Sequence, residues 1–259
     1  MQIGIITSAL GPAMNCGESL QRLSAFPLDV VQLTWLEKLV GQRPDNAGCR
    51  IRNLCDAYDA PPIHALALGP VAAESSEHQI RCWGDKLQQY MDIASQVGAE
   101  IVTGHPPDAI HDYPGMAATV LQRVSGYGQR QGVRCALETG NETADLTKRL
   151  LDDTPYLQIC FDAANLAAAG WSREDIIGFT HDVGGRIGLV HVKGYNGTGF
   201  CTLQKDGDFG AAWQVDTVMP HYNGPFILEE GVAAAERLCS AQRGLDTLRD
   251  VCMKYAAMR

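Results

Sequence analysis

The stretch RCALETGN, residues 134–141, carries a strand-forming apolar run straight into a carboxylate, Glu138, and then into Gly140 and Asn141, which read as the start of a turn. A glutamate at the mouth of a buried strand is costly unless something cationic meets it. Three stretches downstream repeat the design. LQICFD (157–162) ends on Asp162, IGLVHVK (187–193) closes with His191 and Lys193, and PFILEE (225–230) reaches Glu229. Upstream, QIGIIT (2–7), LDVVQL (28–33), IHALALG (63–69) and EIVTGH (100–105) are runs of the same kind, so eight strands are expected.

Their starts lie roughly 23 to 38 residues apart, the length of a strand, a helix and two loops, which implies parallel strands joined by crossover helices. The clearest helix is EHQIRCWGDKLQQYMDIASQVG (77–98), with Ile80, Trp83, Leu87, Tyr90, Met91 and Ala94 on one face and Gly98 where a C-terminal cap belongs. Residues 116–132, 142–153, 173–185 and 245–259 have similar patterns, whereas a helix near Glu18 to Ser24 is short and weakly marked. Eight such repeats in 259 residues predict an α/β chain forming a single-domain (β/α)8 TIM barrel over 1–259. A doubly wound open sheet is the rival, but no strand leads into a glycine-rich dinucleotide fingerprint.

The bulk numbers narrow the function. A hydrophobic content of 46% supports a large core, and no apolar stretch has bilayer length. The start, MQIGIITSAL, lacks the basic flank of a signal peptide, so a cytoplasmic location without membrane contact is expected. Nine scattered cysteines, none in a C-x-x-C pair, read as reduced thiols. A net charge of −9 with dispersed Lys and Arg weighs against nucleic acid as a partner. Assembly into a homo-oligomer is compatible with all of this.

In a barrel, catalytic groups sit at the C-terminal ends of the strands. Glu138, Asp162, His191, Lys193 and Glu229 occupy those positions on four consecutive strands. So many acids cannot share a dry rim as bare charges, and a divalent cation resolves the conflict. Taken singly, each acid reads equally as a helix cap or loop salt bridge, and the histidine as a core residue. Their coincidence of position is what points to a shared metal site.

The motifs ALETGN, CFDAAN, LVHVKG and FILEEG resemble those of the xylose-isomerase-like TIM-barrel superfamily, which includes sugar isomerases, ketose 3-epimerases and, more distantly, endonuclease IV. The resemblance runs over the chain in strand order, with its specific motifs in the second half. It implies one divalent metal held by Glu138, Asp162, His191 and Glu229, and an isomerase or epimerase in which Glu138 and Glu229 move protons through a metal-stabilised enediolate. The sequence departs from the family at Asn165, which replaces the histidine of the usual Asp-x-x-His motif, and at Gln32, where the second strand commonly carries a glutamate.

An oxygen-rich donor set suits Mn²⁺ first, then Mg²⁺ or Co²⁺, and Zn²⁺ less well. His105, Asn165 and Lys193 are the candidate substrate contacts. Lys193 reads equally well as a salt-bridge partner of Asp162 or Glu230. His64 is expected in the core near the barrel bottom, and His78, His111, His181 and His221 at the surface. Asn141 is expected to cap the following helix or to orient Glu138. The long loop 194–213 has the length and glycine content of a lid. With only Lys193 and Lys205 positive there, an unphosphorylated sugar or polyol-derived ketone is the expected substrate. The alternative within enzymes is a metal-dependent lyase or dehydratase on a keto-sugar or keto-polyol. Less favoured are a non-catalytic sugar-binding barrel and a nuclease, which would need a histidine at Asn165 and an Asp-x-His where Asp206-Gly207-Asp208 stands.

Overall fold

The computed structural model describes residues 1–10, 16–34, 36, 44–69, 76–231 and 236–257. Eight strands, Ile3–Ile6, Val30–Leu33, Ile63–Leu68, Ile101–Gly104, Arg134–Glu138, Leu157–Asp162, Ile187–Val192 and Phe226–Leu228, pair in parallel in chain order. The first pairs with the eighth (Ile3 with Phe226, Ile5 with Leu228), and this closes the barrel. Each strand is covered by helices outside and by its fellows inside, so both faces are buried. That is why the sequence shows continuous Ile, Val and Leu runs instead of alternation.

All eight expected strands are present, several trimmed by a residue or more at the ends. His105, Lys193 and Glu229 therefore lie one residue beyond their strands, on the rim itself. The register slips between Val31 and Gln32 and between Ile159 and Cys160, and such irregularities re-aim the side chains that follow.

The clearest predicted helix spans Glu77–Val97. Ser76 accepts a hydrogen bond from the Gln79 N–H at 3.3 Å at its start, and Gly98 ends it at φ 76°, a conformation that favours glycine. The first helix is Cys16–Leu23, and the others read from the sequence are Pro114–Gln131, Ala144–Asp153, Arg173–Val183 and Arg237–Ala257. The last begins earlier than its pattern suggested because Gly244 interrupts the apolar spacing. A methyl there would lie 2.3 Å from Glu230 Oε1, so glycine lets the helix pass over the eighth strand. Helices Pro44–Tyr58, Ala109–Asp112, Ala163–Ala168 and Ala211–Val218 were not expected. Asn141 caps nothing, since Thr143 accepts from the Leu146 N–H and starts Ala144–Asp153.

The loop read as 194–213 contains a short antiparallel hairpin, Gly194–Tyr195 with Phe200–Cys201, and runs into Ala211–Val218. The hairpin closes on Gly194, where a methyl would meet the Cys201 carbonyl at 2.4 Å. Among the described residues no helix is long and apolar enough to cross a membrane.

The core joins barrel and helices through Trp83, Tyr90, Phe161 and Phe226, all essentially inaccessible. Phe226 sits in the seam where the barrel closes and meets Tyr222 edge-on at 5.7 Å. Phe226→Ala is expected to cost about 3–5 kcal/mol, measured as a lower urea midpoint at unchanged slope, because the closed barrel cannot collapse into the void.

Candidate metal centre

Four consecutive strands bring Glu138, Asp162, His191 and Glu229 together, each offering one ligand atom within 4.8 Å of the others. His191, fully buried on the seventh strand, stands at the middle. Its Nδ1 lies 3.2 Å from Glu138 Oε1, 3.1 Å from Glu229 Oε2 and 4.0 Å from Asp162 Oδ2. The other ring nitrogen, Nε2, is 2.7 Å from Gln32 Oε1 across the barrel. Gln32 is itself oriented by donating its amide to Thr103 Oγ1 at 2.9 Å, which turns its oxygen toward the imidazole. Nε2 therefore carries a hydrogen toward Gln32, and Nδ1, held protonated by the acids around it despite burial, is the ring atom that would coordinate a cation on giving up its proton.

Each carboxylate is positioned differently. Asp162 caps the helix Ala163–Ala168 with Oδ1, which accepts from the Asn165 N–H at 2.8 Å. Its Oδ2 is buried without a hydrogen-bond partner and has Lys193 Nζ at 3.0 Å as its nearest cation. Thr139 ties the fifth and sixth strand ends together, its Oγ1 accepting from the Asp162 N–H at 2.9 Å. Glu138 Oε1 meets His105 Nε2 at 3.1 Å and the Asn165 amide at 3.5 Å. Glu229, the most accessible of the three, accepts from Lys193 at 3.0 Å.

Burial opposes charge on all three acids, but the outcomes differ. Despite burial, His105 and His191 hold the Glu138 carboxyl well below the usual range. Lys193 likewise overcomes burial at Glu229, which falls to about 2. At Asp162, burial wins over Lys193, helped by the negative charge of Glu229, and the carboxyl is raised. His105 is pushed up to about 9 by Glu138.

This donor set fits a divalent ion: three carboxylates, an imidazole whose Nδ1 is turned toward them, and a buried Asp162 oxygen whose close partner is the Lys193 ammonium. Cys160 also lies within reach of Glu138 and His191, but burial pushes its thiol up to about 12, so it is a neutral, poor ligand.

The structure places the three candidate substrate contacts as follows. His105 and Asn165 line a cavity of roughly 490 Å³ at the barrel mouth, together with Gln79, Glu142 and Phe200. Lys193 is buried among the acids, paired with Asp162 and Glu229. Glu230 points elsewhere and accepts from Ser240. His64 is buried at the start of the third strand, 3.8 Å from Glu100, while His78, His111, His181 and His221 are exposed. Glu142, which sequence reasoning passed over, is buried in the cavity wall. An acid inside a turn carries no distinguishing sequence signal.

Comparison with known proteins agrees with this architecture. A xylose isomerase domain protein from Planctomyces limnophilus superposes with a TM-score of 0.70 at 23% identity, covering 96% of each chain. The 3-keto-D-glucoside 4-epimerase of E. coli gives 0.72 at 16% identity, over 98% of this chain and 99% of that one. The D-allulose 3-epimerase of Methylomonas sp., solved with D-allulose, gives 0.69 at 16%, over 100% and 97%. At these identities the likeness is one of fold. A sequence search of curated proteins found no match. The family model for the xylose isomerase-like TIM barrel matches residues 20–251, and the chain belongs to that family.

Proposed function

We propose that this protein is a divalent-metal-dependent sugar isomerase or epimerase. The observation that carries the reading is the convergence of Glu138, Asp162, His191 and Glu229 within 4.8 Å, beside a cavity of a size that takes a small polar molecule. Similar folds solved as epimerases of 3-keto-D-glucoside and D-allulose support a carbohydrate substrate. The weak positive charge at the mouth favours one without phosphate. The free state of all nine cysteines supports a reducing, cytoplasmic setting.

In this reading the same four residues hold the metal, and the oxygen-rich set favours Mn²⁺. When bound, the ion supplies a Lewis acid that polarises a carbonyl and neutralises charge developing on neighbouring oxygens. The protein's own groups do the rest. Glu138 and Glu229 approach His191 from the fifth and eighth strands, so a substrate between them meets a carboxylate on either side. One takes the proton from the carbon next to the carbonyl. For isomerisation it returns that proton to the neighbouring carbon; for epimerisation the other carboxylate, which must enter the step in its acid form, gives its own proton to the opposite face. His105 and Asn165 hold Glu138 in place through their contacts with Oε1. Phe200, on the hairpin beside the cavity, sets its ring centroid 4.9 Å from Lys193 Nζ.

The first test is proton-NMR exchange of ketoses, aldoses and keto-polyols in D₂O with Mn²⁺-loaded protein. Exchange with conserved mass supports the reading, and a product lighter by water moves it to a lyase. The protein should carry about one divalent ion per chain, and chelation should abolish turnover and lower Tm. Full activity without metal would overturn the site. Gln32→Leu leaves all four ligands in place but frees the His191 ring, so divalent affinity should fall roughly 10–100-fold in a metal titration. Glu138→Gln keeps a ligand oxygen and loses the base. It should retain much of its metal yet lose at least about 10²-fold in turnover; near-normal rates would make Glu138 a structural ligand only.

A further inference from the structure

The cavity at the barrel mouth contains polar groups that the metal centre does not use. Glu142 lies in the turn after the fifth strand and is 6% exposed, with its side chain in the cavity wall. One carboxylate oxygen accepts from the Gly140 N–H at 2.8 Å. Burial raises its carboxyl above the usual range, with that hydrogen bond opposing. Across the turn stands His105, whose Nε2 is taken by Glu138. A methyl on Gly140 would lie 3.7 Å from His105 Nδ1 and 3.8 and 3.9 Å from the two Glu142 oxygens. Imidazole and carboxyl thus face one small gap, and glycine keeps its floor clear. Pro106, Pro107, Ala168 and Phe200 form the apolar part of the same cavity.

We propose that Glu142 and His105 form a polyol-binding subsite beside the metal centre, in which a substrate hydroxyl remote from the reacting carbonyl sits over Gly140 and donates to Glu142. A carboxyl that has given up water in a cavity regains a hydrogen bond from such a hydroxyl, and the apolar wall takes the C–H faces of the carbon chain. The subsite selects substrates that carry a hydroxyl beyond those flanking the reacting carbonyl. This rests on the protein being a sugar-binding enzyme.

Two variants separate this role from simple capping of the turn. Glu142→Gln keeps an oxygen for the Gly140 N–H and removes the charge. Gly140→Ala fits at ordinary contact distance yet fills the gap. Metal content and Tm of both variants verify that centre and fold are intact. The probes are D-fructose, D-allulose and dihydroxyacetone, with affinity for Mn²⁺-loaded protein read by saturation-transfer NMR titration. Both hexuloses should bind roughly tenfold or more weakly to each variant than to the parent, the scale of a hydrogen bond to a charged group. Dihydroxyacetone, whose only hydroxyls flank its carbonyl, should bind all three proteins alike.

Unchanged hexulose affinity, equal weakening for dihydroxyacetone, or no hexulose binding to the parent protein overturns the subsite. The readout is binding, so the two readings fail separately. Hexulose binding that depends on Glu142 without any solvent exchange preserves the subsite and removes the isomerase. Exchange with hexulose binding indifferent to Glu142 does the reverse.

Discussion

Three carboxylates taken out of water at one rim set the terms for everything around them. Burial alone would protonate them. Glu138 stays ionised because two imidazoles, His105 and His191, converge on one of its oxygens. Glu229 stays ionised because Lys193 touches it. Asp162, the most deeply buried, shares that lysine through Oδ2 and remains unfavourable as an anion. The demand for a further positive charge is therefore concentrated where the three acids and His191 Nδ1 meet.

Holding that arrangement still is the work of neutral side chains. The Thr103–Gln32–His191 chain crosses the barrel interior and fixes the orientation of the imidazole. The register slip just before Gln32 helps aim it inward. Relatives commonly place a glutamate at this position. An amide accepts the same hydrogen bond and adds no fourth buried anion. Asn165 likewise replaces a histidine with an amide that donates to Glu138 and, at 3.2 Å, to the Thr139 carbonyl. Both departures from the family pattern lower the local charge and preserve the hydrogen-bond geometry.

The hairpin beside the mouth is anchored by shape. Phe200 packs where a Gly231 side chain would otherwise stand, with a methyl there only 2.5 Å from its Cβ. Tyr195 bridges Phe200 and Phe209 at ring distances of 5.9 and 5.6 Å, and Phe209 continues to Trp213 at 5.4 Å. Arg173 covers Trp213 at 4.8 Å. These contacts hold Phe200, which lines the cavity, to the helix Ala211–Val218.

The eight strands and the acids at their ends were legible in the sequence. Parallel strands buried on both faces must be continuous apolar runs, and a carboxylate ending such a run stands out against them. The helix Pro44–Tyr58 did not stand out, because its polar residues and Gly48 blur the apolar period. Thr143 and Asn141 are equivalent caps by residue type, and only the backbone path chose between them. The pairing of Gln32 with His191 joins positions 159 residues apart, and no local pattern encodes it. Lys193 was expected to meet substrate, Asp162 or Glu230, and strand geometry gave it Asp162 and Glu229. Glu142 became visible only when the turn folded its carboxyl into the cavity wall. The chain's local chemistry determined which elements form and which residues reach the rim. Barrel closure decided which of them touch, because those contacts depend on register and rotation around the rim, neither of which is a property of any one segment.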